Sequence, residues 1–110
     1  MTIPADAIIA VEKVRDYLLK PLDEDDKSGY LLQAGYTRAN WPKLMEDMRI
    51  QLLPGEGIIQ QRTRFGEKCL LRSKLREPNG NVLEIVTIWE NNHIEGWKFI
   101  TLYPAKKKRL

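Results

Sequence analysis

The sequence predicts an α+β fold in which N-terminal helices pack on one face of a three- to four-stranded antiparallel sheet. Three observations predict it. Apolar residues recur at steps of three and four as far as Leu52, the pattern changes to a period of two after Pro54-Gly55 and Gly57, and Pro78-Asn79-Gly80-Asn81 stands as a hairpin signal between two strand-like runs.

The first helix is expected from the N-terminus. Pro4 suits a first helical turn and Thr2 is placed to cap it, after which Ala7, Ile8, Val11, Val14 and Leu18 share a stripe. Pro21 has no amide hydrogen and pushes Lys20 out of helical geometry, so the helix stops there. Asp23, Glu24, Asp25 and Asp26 then offer N-caps for a short second helix through Leu31, Leu32 and Gln33, closed by Gly35. Thr37 or Asn40 caps a third, in which Trp41, Leu44, Met45, Met48 and Leu52 form the clearest stripe of the chain.

Strands follow. Over residues 68–76, Cys69, Leu71, Ser73 and Leu75 alternate with Lys68, Leu70, Arg72, Lys74 and Arg76, which makes one face of that strand basic. Residues 82–89 are apolar on both faces except at Glu84 and Thr87, the mark of a central strand. After a loop with Asn91, Asn92 and Gly96, residues 97–103 form the last strand and Pro104 ends it. Residues 58–64 add a fourth strand at an edge. One sheet face must be buried under the helices, which leaves the other open to a ligand.

With 110 residues the chain suffices for one core, since domains mostly run to about 100–150 residues. Residues 1–104 are expected to form it, with 105–110 a basic tail carrying Lys106, Lys107, Lys108 and Arg109. A hydrophobic content of 43% with 30% charged residues is that of a folded protein rather than a disordered one. No apolar run approaches the roughly 18 residues of a membrane span, no signal peptide is recognisable, and a lone cysteine fits a reducing cytoplasm. The net charge of +3 is too small to argue for nucleic acid by itself.

Candidate chemistry is sparse. His93 lies in a turn, where a solvated loop residue is the ordinary reading, and with no second histidine a two-histidine ribonuclease mechanism is excluded. Cys69 reads as a small buried hydrophobe. The acidic run at 23–26 lacks the order of a calcium loop and is better explained by capping, so neither metal nor cofactor is expected. Arg62, Arg64, Arg72, Lys74 and Arg76 form a basic strip over two adjacent segments, suited to phosphates or simply to a soluble outer face. Thr87, Thr101 and Tyr103 place hydroxyls on the strands, either for a site or as good strand formers.

The order of short segments adds a resemblance. Ile3-Pro4 to Leu18-Leu19, Asp26-Lys27-Ser28, Ala34-Gly35-Tyr36-Thr37, Asn40-Trp41, Phe65-Gly66, Pro78-Asn79-Gly80, Val86-Thr87-Ile88-Trp89 and Thr101-Leu102-Tyr103-Pro104 resemble an uncharacterised bacterial domain family. Its members occur as small stand-alone proteins and at the ends of secreted polymorphic toxins. Those toxin tips in turn resemble the superfamily of barnase, EndoU, the RNA-cleaving colicins and RelE. The resemblance implies metal-independent RNA cleavage by attack of the ribose 2′-hydroxyl on the adjacent phosphate. By position it implies catalytic roles for Lys13, Thr87, Thr101 and Tyr103 and a basic contact at Lys27, to which the strip adds Arg64, Arg72 and Lys74 as RNA-binding cations. Lys13, lying roughly opposite Val11 on the helix, is expected to turn away from the sheet. An acidic antitoxin or immunity protein is the partner such a toxin needs, meeting the basic face. The alternative is a non-catalytic module that binds protein or nucleic acid.

Overall fold

The computed structural model describes residues 1–19, 31–32, 35–80 and 82–105. Along the chain run β1 (Thr2–Ile3), α1 (Val11–Lys13) with a π-helical continuation (Val14–Leu18), α2 (Trp41–Leu52), β2 (Gly55–Glu56), β3 (Ile58–Thr63), β4 (Gly66–Arg76), β5 (Val82–Asn92) and β6 (Gly96–Pro104). The last four form an antiparallel sheet in chain order, and β1 pairs with β2 in a separate two-stranded ribbon. The expected α+β fold is thus present. Among the described residues no helix is long and apolar enough to cross a membrane.

The period of two decides which side chains meet the helices. Cys69, Leu71 and Leu75 of β4, Ile85 and Trp89 of β5 and Phe99 and Leu102 of β6 are buried against Leu44, Met48 and Leu52 of α2 and against Val14 and Leu18. Trp89 and Phe99 meet edge to face with ring centroids 5.4 Å apart. Phe99 and Leu102 face the same way although three apart, because β6 carries a bulge: Ile88 pairs with Thr101 while Trp89 pairs with Phe99.

The first helix begins later than its stripe suggested. Residues 2–10 are not helical, and the reason is tertiary. Thr2 pairs with Glu56, while the Ile8 amide donates to the Trp97 carbonyl at 2.8 Å and its carbonyl accepts from the Phe99 amide at 2.8 Å. Those bonds spend the backbone groups a helix would need, and Ile3, Ala7 and Ile9 are buried by the extended chain. They also close part of the β6 edge.

The start of the second helix, with the 23–26 run, lies outside the described residues. Its end is as expected: the Tyr36 amide donates to the Leu31 carbonyl and the Gly35 amide to the Leu32 carbonyl, with Gly35 at φ +95°. That pair of bonds is a Schellman closure, which favours glycine at this position. Before α2, Asn40 holds the N-cap position without a side-chain bond to a helix amide, and the two candidate caps bond each other instead. The Asn40 amide donates to the Thr37 hydroxyl at 3.2 Å and the Thr37 amide to the Asn40 carboxamide oxygen at 2.6 Å. At the far end of α2, Gln51 grips β4: its carboxamide accepts from the Arg76 amide and donates to the Arg76 carbonyl.

Candidate functional site

Residues directly opposite in an antiparallel pair project to the same face, so register places the candidates. Arg72 lies opposite Val86, and Val86 opposite Tyr103; Leu70 lies opposite Ile88, and Ile88 opposite Thr101. Arg72, Lys74 and Tyr103 therefore share the face turned away from the helices, and all three are exposed. Lys74 faces Glu84 and Lys68 faces Glu90 across the β4–β5 pair, so this face is mixed in charge rather than uniformly basic. A depression of about 490 Å³ opens at its Lys74 end, lined by Arg72, Ser73, Lys74, Glu84, Ile85 and Ala105.

Thr87 does not join this group. It falls in the row Leu71, Thr87, Leu102 on the helix-covered face, fully buried. Its hydroxyl donates to the Leu71 carbonyl at 3.2 Å and accepts from the Trp89 indole at 2.7 Å. The hydroxyl serves the core, where an unpaired indole N–H would be costly.

Thr101 is placed at the rim. Its hydroxyl lies 3.4 Å from the Tyr17 hydroxyl, and the Lys13 ammonium stands 5.6 Å from the centroid of the Tyr17 ring. The expectation that Lys13 turns away from the sheet rests on Val11 as the buried reference, and Val11 is only half-buried. The buried row is instead Val14 and Leu18, and Lys13 and Tyr17 form the row beside it. One turn further, Asp16 bonds Arg15 at 2.8 Å and Arg38 at 2.9 Å, and those hydrogen bonds hold its carboxyl far below the usual carboxylate range. Asp16 thus ties the π-helical continuation to the segment before α2.

The predicted basic strip is divided. A bulge between Ile59 and Gln61 shifts β3 by one residue, so Arg62 comes opposite Glu67 on the helix side instead of continuing the row of Arg72 and Lys74. Arg64 lies in the β3–β4 turn with its guanidinium 4.9 Å from the Phe65 ring centroid. Lys27 is outside the described residues.

Two arrangements had no sequence signal strong enough to find them. Buried Glu67 accepts from His93 Nε2 at 2.8 Å, with Asn91 at 3.4 Å and Arg62 at 3.6 Å from the same carboxylate. The turn His93 was expected to occupy is correct, but its ring is held by a carboxylate twenty-six residues away. Register alone brings them together. Separately, the buried Tyr36 hydroxyl donates to Asp47 at 2.6 Å, and Asp47 also meets Lys43 at 3.1 Å. Burial, and then the bond to Asp47, push the Tyr36 phenol well above its ordinary range.

Lys13, Tyr17 and Thr101 set a cation beside two hydroxyls at the rim, a set suited to an anionic ligand, while Arg72 and Tyr103 lie on the open face with β5 between them. Comparison with curated proteins gives no match. Among solved structures, a chain of a contact-dependent growth inhibition toxin–immunity protein complex from Klebsiella pneumoniae 342 is similar over 94% of this chain and 97% of that one. The TM-score is 0.67 at 14% identity, so the likeness is one of fold. The sequence model of a family described as Domain of unknown function (DUF6883) matches residues 4–106, and the chain belongs to that family.

Proposed function

We propose that this chain is a toxin-type domain that cleaves RNA without a metal, at the rim where α1 and its π-helical continuation meet β6, and that a partner protein restrains it. The observation that carries the reading is the bridge from Lys13 through Tyr17 to Thr101, three residues from opposite ends of the chain. The shared fold with a chain of a toxin–immunity complex supports the toxin association and a protein partner.

In this reading the RNA backbone lies along the β6 side of the sheet, with its phosphate against Lys13 at the rim. The 2′-hydroxyl attacks phosphorus, and its proton passes to the Tyr17–Thr101 hydroxyl pair and on to water. The bond from phosphorus to the 5′-oxygen breaks, and that oxygen takes a proton from Tyr103 or water. The products are a 2′,3′-cyclic phosphate and a 5′-hydroxyl. The Lys13 ammonium stabilises the charge that builds on the phosphate oxygens.

The test is tightly controlled expression in bacteria, with RNA integrity and 3′-end chemistry followed after induction. Growth arrest with cyclic-phosphate ends, relieved by Lys13→Ala, Thr101→Val or Tyr103→Phe, is the expected result. Harmless expression with intact RNA sinks the reading. It would favour a non-catalytic binding module, for which the alternation of Lys74 with Glu84 and Lys68 with Glu90 is the supporting observation.

A further inference from the structure

The two edges of the sheet differ. At β6 the backbone of Ile8 bonds to both Trp97 and Phe99. At β3, among the described residues, β4 is the sole strand neighbour, and five of its six residues are exposed. A strand edge with unpaired amides and carbonyls is a template for another strand, and proteins blunt such edges with charge and bulges. Here the bulge at Gln60 and the charges of Arg62 and Arg64 blunt β3 against neutral or basic strands.

The same features select a partner. Residues 58–65 contain two arginines and no acid, and Ile58 and Phe65 are 66% and 55% exposed. Of the two carboxylates that flank this stretch, Glu67 is buried and already engaged by His93, Asn91 and Arg62, and Glu56 is paired with the N-terminal ammonium at 2.6 Å. We infer that the outer edge of β3 and its turn dock an acidic partner protein, which adds an extended segment beside Ile58–Thr63 and sets carboxylates against Arg62 and Arg64. Backbone pairing supplies attachment, and the alternating side chains supply selectivity. A second copy is a poorer occupant, because it would line four arginines along one seam. RNA has no strand to offer the edge. This inference rests on the reading that a partner protein restrains the domain, and it moves that partner from the open face to the edge.

The probe is a synthetic peptide of alternating glutamate and valine, titrated into the ¹⁵N-labelled full chain and followed by amide chemical shifts. Shifts concentrated at residues 58–65 are expected. Affinity should fall at least tenfold when alternate peptide amides are N-methylated, and again at least tenfold in the Arg62→Glu/Arg64→Glu chain, whose fold is checked by circular dichroism. Absence of binding overturns the proposal, as do shifts clustered at Arg72, Thr101 and Tyr103. A single-stranded RNA that shifts residues 58–65 and displaces the peptide overturns it in favour of nucleic acid, and a dimer abolished by the same charge reversals overturns it in favour of self-pairing. Cleavage by the unchanged chain, assayed in parallel, tells failure of the functional reading apart from failure of this one.

Discussion

The Tyr17 hydroxyl lies 3.4 Å from the Thr101 hydroxyl, joining the helical layer to the last strand across 84 residues of sequence. Both side chains are only part-buried, so this bond contributes little to stability while fixing two hydroxyls beside Lys13. Tyr17→Phe and Thr101→Val are therefore expected to lower RNA cleavage on the order of tenfold to a hundredfold. Melting temperatures of the two variants should stay close to that of the unchanged chain, which thermal unfolding by circular dichroism checks.

Thr87→Val has the opposite profile. It removes the acceptor of the buried Trp89 indole and the donor to the Leu71 carbonyl. A loss of about 1–3 kcal/mol in unfolding free energy is expected. Cleavage by the folded fraction should be unchanged, read by denaturant titration alongside an RNA assay.

His93→Ala separates the rim from the Glu67 cluster. Glu67 keeps Arg62 and Asn91 but loses its 2.8 Å partner, so stability should drop by about 1 kcal/mol. If the rim does the chemistry, RNA cleavage persists. Loss of cleavage in a folded His93→Ala chain would move the site to the β5–β6 turn.

Tyr36 makes stability sensitive to alkali. Its phenol ionises less readily in the folded state than in the unfolded chain, because burial and Asp47 oppose the phenolate. The group's contribution is therefore complete below the unfolded value of about 10, declines above it and is lost as pH passes the folded value. Absorbance at 295 nm should show a tyrosine that titrates only together with unfolding. In Tyr36→Phe that coupled step should vanish, at a cost in stability at neutral pH of about 1–3 kcal/mol, because the buried Asp47 carboxylate keeps Lys43 but loses the Tyr36 donor.

Gly66 should tolerate no side chain. A β-carbon there would stand 1.7 Å from the Asn91 carbonyl oxygen, backbone against backbone, at φ +152°. Gly80, at φ +90°, has open space around it. Gly66→Ala is expected to cost about 3 kcal/mol or more and Gly80→Ala about 1 kcal/mol, compared by chemical denaturation.

Much of the fold was legible because it follows local rules. The α2 stripe from Trp41 to Leu52, the Gly35 closure and the alternation from Cys69 to Leu75 each come from a periodicity or a backbone preference that neighbouring residues share. The same alternation settled that Arg72 and Lys74 face away from Leu71 and Leu75. Tertiary structure decided the rest, and each case has one physical cause. The first ten residues left the helix because β2 and β6 took their backbone groups. A one-residue bulge at Gln60 sent Arg62 to the helix side, and another in β6 set Thr101 and Leu102 on their faces. Thr87 went to the core because its strand neighbours Ile85 and Trp89 did. Bulges and long-range pairing leave no periodic trace, so the meeting of Lys13, Tyr17 and Thr101, and of Glu67 with His93, belongs to the folded chain alone.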